Sequence, residues 1–249
     1  MKIVFLTVED PLYLPRFFDT VLERWGEETA AVYVVPPLYR GQNHLGAAKR
    51  YFSTFGLRAT IRLVERLVLA KLRRQSIARA CNRAGVACET ATDVNSPEFL
   101  STLRSLEPDV VVSVSCPQIF KRDLIETPKK ACLNVHGALL PNYRGMMPSF
   151  WMLANGETEA GVSVHFVAEK IDAGEVCGQA AFEILPNDTL HTFLSRSKQV
   201  AATLLTDVLE QLDAGLLRPQ KLDLSRGSYY SWPDREAVDR FAAAGRRLW

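Results

Sequence analysis

The sequence predicts an α/β fold, with a mostly parallel sheet wrapped by helices. Three observations carry that expectation. Residues 109–115 (DVVVSVS) form an apolar run typical of a strand covered on both faces. Short β-type runs alternate with helical stretches, which is the wiring of a parallel sheet with crossover helices. The chain has 249 residues, 47% hydrophobic and 23% charged, enough for one large α/β domain with a substantial core and too few for two full domains by default.

In chain order, residues 2–6 (KIVFL) read as the first strand, followed by a polar turn, a helix over about 14–25 and a second strand over 30–35. Residues 36–84 form an unusual insertion. Leu63, Leu67, Ala70 and Ala78 stand at helical spacing, and the charges around them are almost all Lys or Arg, with Glu65 the exception, so one or two amphipathic helices with a cationic face are expected. The simplest role for this insertion is a solvated helical layer packed on the sheet. An anionic substrate, a membrane surface or a subunit contact are its functional alternatives. Alternation resumes with a strand over 86–89, a helix capped by Ser96 and running to about 105, and the strand over 109–115. Residues 131–136 make a strand, and 148–155 a short helix opened by proline and stopped at Gly156. Runs over 161–167 and 175–184 look like meander strands, and a long helix capped by Asp188 or Thr189 runs to about 214, stopped by Gly215. The division expected is a catalytic domain over 1–215, carrying the 36–84 insertion, and a short appendage over 216–249, rich in Arg and aromatic residues.

Several function classes fall away. The turn after the first strand reads Thr7-Val8-Glu9-Asp10-Pro11 instead of a glycine-rich phosphate loop, which removes dinucleotide dehydrogenases, and no P-loop occurs. A net charge of +2 gives no support to a nucleic-acid-coating protein. The apolar start meets Glu9 and Asp10 at once, unlike a signal peptide, and no segment is a transmembrane span, so a cytoplasmic location is expected. Cys81, Cys88, Cys116, Cys132 and Cys177 are scattered without a C-x-x-C pair, which argues for reduced thiols and against a zinc site or a disulfide framework.

The chemistry concentrates in Asn134-Val135-His136-Gly137-Ala138-Leu139-Leu140-Pro141-Asn142-Tyr143-Arg144-Gly145. Asn134 and His136 are two residues apart on a strand, so their side chains share a face, at the strand end where open α/β sheets place ligands. Taken alone, N-x-H marks a packing histidine more often than a catalyst. The surrounding motifs change that balance: LLPNYRG, then G-V-S-V-H ending at His165, then K-I-D-A-G containing Asp172.

Together these motifs resemble the formyltransferases that use 10-formyltetrahydrofolate, a family that includes methionyl-tRNA, glycinamide ribonucleotide and sugar N-formyltransferases. The resemblance is clear over about 109–215 and loose over the first strands. It implies a Rossmann-like formyltransferase fold, 10-formyltetrahydrofolate as formyl donor, and Asn134, His136 and Asp172 as the catalytic set. By position it assigns pterin binding to Pro117, Gln118, Ile119, Phe120, Val167 and Ala168, with Asp172, mainly through backbone groups. Arg144 and Gly145 are expected to shape their loop, His165 to be structural, and His44 and His191 to be surface or packing residues. Small-molecule partners are implied and a homodimer is compatible with the family, with no nucleic acid and no metal expected.

Which amine is formylated is narrowed by departures from the known branches. The first turn lacks the phosphate loop expected for glycinamide ribonucleotide, and the chain ends before the barrel domain that methionyl-tRNA formyltransferase uses to hold tRNA. Gly227-Ser228-Tyr229-Tyr230-Ser231-Trp232-Pro233 looks like the segment after the catalytic core in sugar N-formyltransferases. An amino sugar, nucleotide-linked, is the expected acceptor. A lipid-linked amino sugar, another amine, methionyl-tRNA, or folate binding without transfer are the alternatives.

Overall fold

Strand β1 (Ile3–Val8) shows how the sequence builds two cores at once, because successive side chains of a strand point to opposite faces. Ile3 and Phe5 enter one apolar cluster, and Val4 and Leu6 the other. β4 (Val110–Val114) repeats the pattern, with Val110, Val112 and Val114 on the first face and Val111 on the second. The computed structural model describes residues 1–36 and 44–249, with side chains throughout except at positions 44 and 45, so His44 lies outside what is described.

The remaining elements follow in order: α1 (Leu14–Trp25), β2 (Thr29–Val35), α2 (His44–Leu72), α3 (Ile77–Ala84), β3 (Cys88–Thr90) and α4 (Pro97–Ser105) precede β4. After it come α5 (Arg122–Ile125), β5 (Ala131–His136), β6 (Arg144–Gly145), α6 (Pro148–Ala154), β7 (Glu159–Phe166), β8 (Val176–Glu183), α7 (Leu190–Asp213), β9 (Tyr229–Tyr230) and α8 (Arg235–Ala243). The main sheet has seven strands in the order β3-β2-β1-β4-β5-β7-β8. It is parallel from β3 through β5, whereas β7 and β8 run antiparallel to their neighbours. This is a mostly parallel, helix-flanked sheet.

The caps expected at Ser96 and Thr189 form, and Ser76 supplies a further one. The Ser96 side chain accepts from Phe99 N, Ser76 accepts from Arg79 N, and Thr189 accepts from Thr192 N while the Thr192 hydroxyl accepts from Thr189 N. Losing the Thr189 oxygen leaves one donor at the start of α7 unpaired, so Thr189→Ala is expected to cost about 1 kcal/mol in urea denaturation.

The insertion differs from the expectation in one respect. α3 packs its buried residues Ile77, Ala80 and Cys81 into the first core, as a covering helix should. α2 does not lie on the sheet. Gly56, at φ +80, breaks it into two segments, and most of the large apolar side chains beyond the break face outward. The tail joins the body through aromatic packing: Tyr230 stacks on Tyr143 and Trp151, with centroids 5.2 and 4.6 Å apart, and Phe241 of α8 stacks on Phe150 at 4.8 Å. β9 pairs with β6, which ties the tail to the loop after the N-x-H strand.

Candidate active site

The site is built where β5 ends. The antiparallel register of β5 and β7 sets Asn134 opposite His165 and His136 opposite Ser163. Asn134 Nδ2 lies 3.1 Å from His165 Nε2 and 3.5 Å from Asp172 Oδ1. His165 Nδ1 donates to the carbonyl of Phe166 at 2.8 Å, which leaves Nε2 of a neutral ring as acceptor for the Asn134 amide. One Asn134 N–H is thereby held by His165. The other, at 3.5 Å from Asp172, is only loosely engaged.

Asp172 arrives from the loop between β7 and β8 with φ +49, a left-handed conformation that costs a non-glycine residue energy and is held here by its contacts. Its Oδ2 accepts from Gly145 N at 2.8 Å and stands 3.6 Å from His136 Nδ1, while Oδ1 stands 3.6 Å from His165 Nε2. Thus β5, the β6 loop and the β7–β8 loop converge on one carboxylate. Gly174 lets that loop close, because a Cβ there would lie 1.8 Å from the carbonyl oxygen of Phe166.

His136 is buried, and its Nε2 donates to the carbonyl of Tyr143 at 2.9 Å. Burial pushes the imidazole below its ordinary value, and the opposing pull of Asp172 and of the Tyr143 carbonyl does not reverse this. Asp172 therefore favours a charged His136, but burial outweighs it. Burial thus favours the neutral ring, whose Nε2 carries the proton given to Tyr143 and whose Nδ1 faces Asp172. For Asp172 itself burial works against ionisation, yet the imidazoles of His165 and His136 beside it, which interact best with an ionised carboxylate, and the Gly145 N–H together hold the carboxyl below the usual range.

These residues close one end of a cavity of about 630 Å³. Its walls include every residue to which the motifs assign donor binding: Pro117, Gln118, Ile119, Phe120, Val167 and Ala168, with Asp172. Gln118 is committed elsewhere by its side chain, which accepts from Val94 N at 2.9 Å and donates to the Thr92 carbonyl at 2.7 Å, so it offers the cavity mainly its backbone. Ile119 is 65% exposed at the rim, whereas Phe120 is buried. Arg144 is buried in the loop, with its Nε unpaired among the described residues, and is not among the residues lining the cavity.

Several lining residues carry no motif. Asp10 follows β1, and its carboxylate accepts from the backbone of Leu12 and Tyr13. Lys198 of α7 donates to the Ser115 hydroxyl at 2.7 Å. Burial raises Asp10 and lowers Lys198, and each partly offsets the other's shift. Position gives a signal for both: Asp10 stands at the carboxyl end of a parallel strand, where such sheets bind ligands, and Lys198 shares a helical face with His191 and Ser195, seven and three residues before it. His165, read as structural, belongs to the polar cluster.

Methionyl-tRNA formyltransferase of Trichlorobacter lovleyi is 33% identical over 159 residues, covering 64% of this chain and 50% of that protein, so the chain spans half the length of that curated relative. The N-formyltransferase of Helicobacter canadensis, solved in complex with folinic acid and dTDP-3-aminofucose, has the same fold at a TM-score of 0.61 and 18% identity, over 93% of this chain and 71% of that one. The formyltransferase PseJ of Anoxybacillus kamchatkensis, solved in complex with UDP-4,6-dideoxy-4-formamido-L-AltNAc and tetrahydrofolate, superposes at a TM-score of 0.50 and 25% identity, over 60% of this chain and 77% of that one. The family model described as Formyl transferase matches residues 1–209, from before β1 to deep within α7. The chain belongs to the formyl transferase family.

Proposed function

We propose that this protein transfers the formyl group of 10-formyltetrahydrofolate to the amine of an amino sugar, with the sugar carried on a nucleotide. The observation that carries the reading is the convergence of Asn134, His136 and Asp172 at the polar end of a largely apolar cavity. That cavity suits a flat heteroaromatic donor: Ile119, Phe120, Val167 and Ile171 supply apolar walls and Asp172 a polar edge. The family and the folate and nucleotide-sugar ligands of its solved relatives support the choice of substrates.

The residues divide the work as follows. The amine nitrogen attacks the formyl carbon, and negative charge gathers on the formyl oxygen. The loosely held N–H of Asn134 is the donor placed to meet that oxygen. As the new C–N bond forms, the amine becomes acidic and its proton passes to His136 Nδ1. Protonation there turns the 3.6 Å contact with Asp172 into a charged hydrogen bond, so the carboxylate stabilises the imidazolium as it appears. The bond between formyl carbon and donor nitrogen then breaks, and His136 returns its proton to that nitrogen. No covalent bond to the protein is needed, and no other reactant is consumed.

Incubating the protein with 10-formyltetrahydrofolate and a panel of nucleotide-linked 3-amino and 4-amino sugars, with mass spectrometry as readout, tests the acceptor. One sugar is expected to gain a formyl mass. Folate binding with no formylated sugar, and formylation of a lipid-linked sugar or another amine instead, would refute the acceptor.

A further inference from the structure

Beyond the Gly56 break, α2 carries its apolar residues on the wrong side for a helix that serves only its own fold. Ala59 and Ala70 are buried against the body, whereas Leu57, Val64, Val68 and Leu72 are 61, 53, 53 and 75% exposed. At 100° per residue these four and Ile61 fall on one stripe, directed away from the buried alanines. A continuous exposed stripe of this kind marks an interaction surface.

Charge selects the occupant. Residues 57–74 contain Arg58, Arg62, Arg66, Lys71, Arg73 and Arg74 against a single acid, Glu65. Arg58, Arg62 and Arg73 lie along one flank of the stripe, between it and the body. A second copy docked stripe to stripe would bring two such cationic flanks together, whereas an anionic lipid surface complements both the apolar face and the arginines. The described helices include none long and apolar enough to cross a membrane, so the geometry is that of a helix lying in the interface.

A second feature of the same flank points to the lipid phosphate. Arg66 and Arg73 meet Arg16 of α1 around a cavity of about 190 Å³ that also has Leu69 of the exposed face on its wall. No carboxylate lines it, and none of the three arginines forms an ion pair among the described residues. Arg66 donates to His191 Nε2 at 2.9 Å, and His191 Nδ1 donates to the Tyr13 hydroxyl at 3.0 Å, which fixes a neutral imidazole that leaves the arginines as the charge of the cavity. Tyr13 also lines the catalytic cavity, so a headgroup held here would sit one side chain away from the reaction.

We propose that α2 docks this protein on anionic bilayers, with the 57–72 stripe in the interface and a lipid phosphate between Arg16, Arg66 and Arg73. The inference goes beyond the catalytic reading and does not depend on it, because its test reads vesicle binding and not formylation. The purified full chain is floated with phosphatidylcholine vesicles with and without one-third phosphatidylglycerol, at low and high salt. Flotation is expected with the anionic vesicles only and weakens with salt. Val64→Asp with Val68→Asp lowers it by about tenfold or more, since two charges enter the apolar face. Arg16→Gln with Arg73→Gln lowers the preference for anionic lipid and leaves the stripe intact. Both pairs of positions lie outside the catalytic cluster, and unchanged circular dichroism confirms that the variants fold. Wild-type protein that stays unbound at low salt, or that floats equally well after the Val64 and Val68 substitutions, overturns the proposal. So does a dimer, seen by sedimentation equilibrium without lipid binding, that those substitutions dissolve.

Discussion

Replacing Asp172 by Asn is expected to lower the rate of formyl transfer by about 10²- to 10⁴-fold, the usual range for losing a partner in proton transfer, and to move the acid limb of the pH profile downward. The substitution suits the site sterically. Asn tolerates the left-handed backbone at φ +49, and its amide oxygen still accepts from Gly145 N. What disappears is the negative charge 3.6 Å from His136 Nδ1. His136 already sits below its ordinary value through burial, with Asp172 pulling it up, so removing the carboxylate lowers it further. If neutral His136 is the form that takes the proton, the rate is flat at neutral and alkaline pH and falls as pH drops through the imidazole value. That fall lies below the ordinary histidine value of 6.5 in the wild type and lower still in the variant. Rate against pH for both proteins, with a saturating acceptor, checks the sign. An upward move of the limb would remove His136 from the role of proton acceptor.

Gly174→Ala is expected to reduce activity by about 10²-fold, the scale on which a displacement near 1 Å acts at an active site. The added Cβ meets the Phe166 carbonyl oxygen at 1.8 Å and the carbonyl carbon at 2.8 Å, both backbone atoms of β7. Either β7 or the loop bearing Asp172 must shift. β7 is hydrogen-bonded to strands on both sides, so the loop is the softer element. Gly156→Ala is the control: its φ of +73 imposes backbone strain, but nothing lies within 4 Å of its Cβ, and it should lower stability slightly while leaving the rate alone. Equal rate losses in the two variants, measured after matching the folded fraction, would contradict a steric effect on the Asp172 loop.

The elements were legible wherever one period dominated. The α1 helix over 14–25 and the strand over 131–136 match their expected bounds, because Phe17, Phe18, Val21 and Trp25 mark a helical face and the β5 run is short and apolar. That Asn134 and His136 share a face at the sheet's ligand end was legible from strand spacing, whereas the approach of Asp172 to them was legible only through the resemblance of the motifs. The protonation of His136 was not, since it depends on burial and on the Tyr143 carbonyl, which a sequence does not display. The place of His165 in the cluster comes from the β5–β7 register, a tertiary property. α2 was misread for the same reason: helical spacing shows which residues share a face, but not whether that face meets the sheet or the solvent.

Separating donor binding from transfer tests the central claim most directly, namely that Asn134 and His136 act on the reacting group and do not merely hold the folate. Asn134→Ala and His136→Ala are titrated with 5-formyltetrahydrofolate by isothermal calorimetry and assayed for formyl transfer from 10-formyltetrahydrofolate. Each variant is expected to bind the folate within about threefold of wild type, because the apolar walls remain, and to lose about 10²- to 10³-fold in transfer rate. Transfer at the wild-type rate in His136→Ala, or losses that appear only as weakened folate binding, would contradict the account.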